Sequence, residues 1–191
     1  MKLIELFNSK GYDYYPTDKG TTHCYLDTYE KMFNKFIGKE INVLEIGVRE
    51  GGSLRLWYDY FINAKIYGVD IINGVNVNIS KDWCITNEIK DLNDKNVQYV
   101  IKDSNLIKND DFINIPLTIA IDDGSHILND QLFFVKTIYN QLVDGGLLIV
   151  EDIQDINNQK IDFESIGIPF EIIDLRLINN RYDDVLLLYR K

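Results

Sequence analysis

Cysteine, histidine and clustered basic charge are all scarce in this chain, and each scarcity narrows the field. Cys24 and Cys84 are the only cysteines among 191 residues, which fits a reducing cytoplasm and not a disulfide-built secreted domain. Lys and Arg together number 20 against 30 Asp and Glu, a net charge of −10. With no basic cluster to form a phosphate-binding face, a nucleic-acid partner is not expected. Nothing approaches the roughly 18 consecutive apolar residues of a membrane-spanning helix. The opening Met1-Lys2-Leu3-Ile4-Glu5 also lacks the apolar core of a signal peptide. What is present is a 46% hydrophobic content, enough for one well-buried domain over residues 1–191 and too short a chain for two.

The chemistry gathers where apolar runs end. Residues 117–121 form an apolar strand that empties into Asp122-Asp123-Gly124-Ser125-His126. The next apolar strand, residues 147–150, ends in Glu151-Asp152. Ligands of open α/β sheets bind outside the carboxyl ends of the strands, so these acids are placed for function. If the two strands are neighbours, Asp123, Glu151 and Asp152 converge with His126 beside them. Such a site has no cysteine and suits a hard cation: Mg²⁺, Mn²⁺ or Ca²⁺.

Upstream, residues 2–9 read as a short amphipathic helix ended by Gly11, and residues 12–20 as a polar and aromatic loop. A second helix carries Tyr25, Tyr29, Met32, Phe33 and Phe36 at helical spacing and stops at Gly38. Residues 41–47 form a strand, residues 48–53 a glycine-bearing turn, residues 54–61 a helix, and residues 66–70 a strand ending in Asp70. A strand, glycine turn, helix and second strand ending in an acid make the nucleoside-binding half of a doubly wound fold, the acid accepting from ribose hydroxyls. Here the spacing is Gly47-x-x-x-Gly51-Gly52, with Glu45 inside the strand. That carboxylate would repel a pyrophosphate but tolerate a cofactor bearing an ammonium and a sulfonium.

Further on, a helix is expected over residues 83–92, a strand over 97–101 closing in Lys102-Asp103-Ser104, and a helix over 128–142 terminated by Gly145-Gly146. That helix is expected to carry Leu132, Phe133, Val135, Ile138, Tyr139 and Leu142 on or near one face. Strands over 170–175 and 185–189 are joined too tightly for a crossover helix, so they should be antiparallel neighbours. The acids of Asn109-Asp110-Asp111 and Asp183-Asp184 read as solvated turns. The fold class is therefore α/β: a Rossmann-like, seven-stranded, mostly parallel sheet with an antiparallel last strand and helices on both faces.

Taken in order, Val43-Leu44-Glu45-Ile46-Gly47-Val48, Gly51-Gly52-Ser53-Leu54, Trp57, Ile66-Tyr67-Gly68-Val69-Asp70-Ile71, the Asp122-Asp123-Gly124-Ser125-His126 loop, and Gly145-Gly146-Leu147 with Glu151-Asp152-Ile153 resemble the class I S-adenosylmethionine-dependent methyltransferases. More narrowly, the set resembles the metal-dependent sugar O-methyltransferases of macrolide deoxysugars and the related cephalosporin-hydroxylase-type proteins. Thr17-Asp18-Lys19-Gly20, followed by His23 and Tyr25, is similar to that family's N-terminal segment. The resemblance implies an N-terminal helical segment over residues 1–38 and a cofactor-binding core over 39–191. It implies that Glu45, Gly47 and Ser53 line the methionine end of S-adenosylmethionine, that Asp70 holds the ribose, and that Asp103 and Ser104 face the adenine. Lys19 and His23 are candidates for the cofactor's carboxylate, and Asp122 serves the cofactor or the structure. Asp123, Glu151 and Asp152 would hold Mg²⁺ or Mn²⁺, with His126 as general base. The implied acceptor is a small molecule or glycan bearing a sugar hydroxyl, and the chain is a possible homodimer. A catechol-type diol acceptor, or a catalytically silent cofactor-binding subunit, is the alternative.

Overall fold

A computed structural model describes residues 1–71, 97–107 and 115–191. The helix expected over residues 83–92 and the turn over 109–111 lie outside them. The strands are β1 (Ile41–Ile46), β2 (Ala64–Asp70), β3 (Val97–Ile101), β4 (Leu117–Asp122), β5 (Leu142–Val150), β6 (Phe170–Asp174) and β7 (Val185–Arg190). They form one sheet in the order β3-β2-β1-β4-β5-β7-β6. From β3 to β5 all pairings are parallel, whereas β7 runs antiparallel to both β5 and β6. The expected antiparallel pair is present. β7 additionally inserts between β5 and β6, which the sequence did not indicate.

Helices cover both faces. α1 (Leu3–Lys10), α2 (Leu26–Phe33) and α3 (Gly52–Tyr60) pack on one, where Phe7, Phe33 and Trp57 meet Val43, Ile121 and Ile149. α4 (Leu128–Ile138) and α5 (Ile156–Glu164) cover the other, where Phe134, Ile138 and Phe163 meet Leu44, Ala120 and Leu148. A four-residue α6 (Arg176–Asn179) links β6 toward β7. Side chains alternate across a strand. The face of each site residue is therefore set by its neighbours: Glu45, Asp123 and Glu151 share the α2 side with Val43, Ile121 and Ile149, while Asp122 shares the α4 side with Ala120.

Three local expectations are corrected. α4 ends at Ile138, followed by a 3₁₀ turn, and Gly145-Gly146 lie inside β5 and do not close a helix. There the register with β4 slips between Leu117–Leu142 and Ile119–Leu147, and Gly145 takes φ +80°. Val135 and Ile138 of α4 are core as expected, but Phe134 and not Phe133 joins them. α5 occupies a stretch to which the sequence assigned no element; Asp155 caps it by accepting from the Asn158 amide at 3.3 Å.

Candidate active site

The order in which strands are added reverses between β1 and its parallel neighbour β4, and a cavity of about 580 Å³ opens at that switch point outside the strands' carboxyl ends. One wall is the turn after β1. Gly47, at φ +83°, passes so close to the next loop that a Cβ would lie 1.8 Å from the Asp123 carbonyl oxygen, so this position admits no side chain. Gly52, at the start of α3, is packed as tightly against the backbone of Pro16, which brings the N-terminal segment onto the cavity rim. At the end of β2, Asp70 Oδ2 accepts from the amides of Val48 at 2.8 Å and Arg49 at 2.7 Å, fixing the turn. Asp103 Oδ1 accepts from the Asn105 amide, and Asn105 in turn donates to Asp130 at 2.8 Å, tying the loop after β3 to α4.

Of the residues singled out from sequence, Gly47, Ser53, Asp70, Asp103, Ser104, Asp123 and His126 line this cavity. Glu151 and Asp152 converge on Asp123 as the neighbouring of β4 and β5 requires. Lys19, His23, Glu45 and Asp122 do not line it, each for a visible reason. Asp122 points to the α4 side, where its Oδ1 accepts from the Gly124 amide at 3.2 Å and burial pushes its carboxyl up to about 7. Glu45 lies beneath α3 and accepts from the Trp57 indole.

Lys19 is fully buried, with its ammonium 2.5 Å from Asp123 Oδ2, 2.8 Å from Glu151 Oε2 and 3.5 Å from Glu45 Oε1. Burial alone would push that ammonium down, but Asp123, Glu151 and Glu45 reverse the effect and hold it well above its ordinary range. The same burial pushes the carboxyls of Asp123 and Glu151 up, with Lys19 opposing. Glu151 Oε1 accepts from the Tyr29 hydroxyl, so both of its oxygens are engaged.

Asp123, His126 and Asp152 present ligand atoms within 4.8 Å of one another. His126 Nε2 lies 3.7 Å from Asp152 Oδ2, and His126 Nδ1 is buried with no hydrogen-bond partner. Both residues adopt left-handed backbone, φ +58° at His126 and +54° at Asp152, a conformation that costs energy outside glycine and is kept where it aims a side chain. Tyr25 donates to Asp152 Oδ1. Two carboxylates and an imidazole with one unpartnered ring nitrogen, beside a cavity, are a donor set that fits a small divalent cation. Glu151, assigned to the metal from sequence, is held off this set by Lys19 and Tyr29.

Asp183 and Asp184, read as solvated turns, are 7% and 0% exposed. Because β7 is antiparallel to β5, its amino end lies beside β5's carboxyl end, and Ile153 donates to the Val185 carbonyl at 3.1 Å. That pairing brings Asp184 Oδ1 to 2.6 Å from His23 Nδ1. The sequence signal was available, since Asp183-Asp184 abuts the apolar run of β7, but its significance depends on the strand order.

The sheet order, the antiparallel β7, the glycine turn after β1 and the acid ending β2 define a class I methyltransferase fold. Within that class the chain belongs to the same family as the macrolide-type sugar O-methyltransferases. Over 145 residues, 72% of this chain and 35% of that protein, it is 34% identical to the 8-demethyl-8-α-L-rhamnosyl tetracenomycin-C 2′-O-methyltransferase of Streptomyces olivaceus. Over 171 residues, 81% of this chain and 40% of the other, it is 29% identical to the demethylmacrocin O-methyltransferase of Streptomyces fradiae. The chain thus spans little more than a third of the length of these curated relatives. Among solved structures it is similar to the MycE methyltransferase of the mycinamycin biosynthetic pathway in complex with Mg, SAH and mycinamycin VI, with a TM-score of 0.70, 20% identity, and coverage of all of this chain and 53% of that one. A likeness of this fold extends to an rRNA methylase from Clostridium thermocellum, TM-score 0.62 at 16% identity over 87% of this chain and 96% of that one. No family model matches.

Proposed function

We propose that this chain is a divalent-metal-assisted O-methyltransferase that transfers the methyl group of S-adenosylmethionine to a hydroxyl of a sugar-bearing acceptor. The observation that carries the reading is the meeting of Asp123, Asp152 and His126 at the edge of the cavity whose far wall is Gly47, Asp70 and Asp103. The names of the two curated relatives, both O-methyltransferases and one specific for a rhamnosyl 2′ position, support it. Gly47 lets the cofactor approach the backbone, Asp70 would accept from its ribose hydroxyls, and Asp103 and Ser104 would flank its adenine. Asp123 and Asp152 would hold the metal, since Mg²⁺ is commonly bound through one or two carboxylates and keeps several waters. When bound, such an ion stabilises negative charge developing on an acceptor hydroxyl. His126, on the cavity wall, would take the hydroxyl proton as the oxygen attacks the sulfonium methyl; a sugar hydroxyl is too weak an acid to ionise unaided. Glu151 and Lys19 hold each other and Asp123 in position. A net charge of −10 favours a sugar acceptor over the RNA substrates of fold relatives, since an RNA backbone would be repelled.

Calorimetric titration of S-adenosylmethionine with and without Mg²⁺, followed by S-adenosylhomocysteine release over a panel of nucleotide sugars and sugar-bearing macrolides, tests this. Cofactor binding with metal-dependent turnover on a sugar is the expected result. Absence of cofactor binding under both conditions would overturn it, and turnover on a catechol alone would reassign the acceptor.

A further inference from the structure

The network of acids continues past Asp152. The two oxygens of that carboxylate face two different imidazoles: Oδ2 lies 3.7 Å from His126 Nε2, and Oδ1 lies 3.7 Å from His23 Nδ1. Behind His23, the ligand atoms of His23, Asp183 and Asp184 lie within 4.8 Å of one another, and all three residues are buried. Asp183, 7% exposed, has an Oδ1 that is buried and lacks any hydrogen-bond partner. Arg181 only partly satisfies the cluster. It donates to Asp183 Oδ2 at 3.0 Å, but its Nε stands 3.6 Å from Asp184 Oδ1 and makes no hydrogen bond.

Charge decides what this arrangement lacks. Glu45, Asp123, Glu151, Asp152, Asp183 and Asp184 form one continuous group of six carboxylates linked through Lys19 and the two imidazoles. Among the described residues, Lys19 and Arg181 are the lysine and arginine paired with it. Buried carboxylates demand a counter-charge or a proton. Fully ionised, the group carries two cations for six anions, and one divalent ion at Asp123 would offset only half of the excess. A second would balance it.

We propose that the chain binds a second divalent cation between His23, Asp183 and Asp184, joined to the first through the carboxylate of Asp152. The set of one imidazole and carboxylate oxygens suits Mn²⁺ as well as Mg²⁺. Arg181, on the exposed loop before β7 and one-third exposed itself, keeps its hydrogen bond to Asp183 Oδ2 while the ion takes the unpartnered Oδ1. His23 is thereby a ligand of this second ion and has no role at the cofactor's carboxylate. The first ion belongs to the function proposed above; the second rests on the His23 cluster alone.

Mn²⁺ titrated into the metal-free full chain, with bound ion counted by the loss of the free-ion electron paramagnetic resonance signal, tests the inference. Two Mn²⁺ per chain are expected, with a spectrum broadened by spin coupling across the shared carboxylate. Asp183→Asn should retain one ion and restore the resolved six-line spectrum of an isolated Mn²⁺, and Asp123→Asn should also retain one. Should Asp183→Asn fail to fold, the stoichiometry and coupling of the unaltered chain still decide. A single ion in the unaltered chain that persists in Asp183→Asn and is lost in Asp123→Asn overturns the second site and leaves the proposed function standing. No ion bound at all overturns both.

Discussion

Lys19 and His126 hold opposite positions in the site, one sealed beneath it and one on its wall, and their replacement should separate structure from chemistry. Lys19→Met leaves Asp123, Glu151 and Glu45 without the ammonium that contacts all three. Removing one partner of a buried ion pair costs about 3–5 kcal/mol. Urea denaturation in the absence of metal should show a loss of that order, partly restored by Mg²⁺, because a divalent ion can take over the same charge. His126 contributes little to packing, being one-third exposed with an unpartnered Nδ1. His126→Ala should therefore leave S-adenosylmethionine affinity within a factor of a few while lowering turnover by about 10²–10⁴-fold, the usual contribution of a general base. An unchanged rate would remove His126 from the mechanism.

At the level of elements, the site is built by close approach between turns. Gly47→Ala would force a Cβ into the Asp123 carbonyl at φ +83°, driving the β1 and β4 loops apart. Gly145→Ala meets the same backbone strain at φ +80° with nothing within 4 Å. The second change should cost about 1–2 kcal/mol, the price of left-handed backbone, and leave cofactor binding intact. The first should cost measurably more in thermal unfolding and abolish cofactor binding; equal costs would show that the β1–β4 contact yields easily. The same scale explains what the sequence made legible. β1, legible as an apolar run closed by a glycine turn, and β2, β4 and the convergence of Asp123 with Glu151 and Asp152, legible as apolar runs ending in acids, all follow from local patterns. Gly145-Gly146 misled because a helix stop and a strand irregularity use the same residue type. Tyr25 and Tyr29 were legible as an apolar helical stripe, but their hydroxyls donate to Asp152 and Glu151, a role that only the packing of α2 over β5 creates. Asp183-Asp184 became part of the site through the insertion of β7 beside β5, a pairing that no local signal encodes.

For the whole molecule, a metal that binds the folded chain and not the unfolded one must raise stability by mass action. Mg²⁺ at a hundred times the Kd of the Asp123 site should add about 2.7 kcal/mol through that site, read as a higher unfolding temperature that EDTA reverses and that is smaller in Asp123→Asn. No helix among the described residues is long and apolar enough to cross a membrane. The Lys19 tether also bears on the order of folding. It joins Asp123 and Glu151 across 104 and 132 residues of chain, closures whose entropy must be met before the contact can stabilise anything. Until that ammonium arrives, β1, β4 and β5 can pair only by drawing like charges together at their ends. The docking of the N-terminal segment is thus expected to come late, locking a sheet already formed. Strand pairing should precede it in a refolding experiment, with the acidic rim left open to solvent until Lys19 closes it.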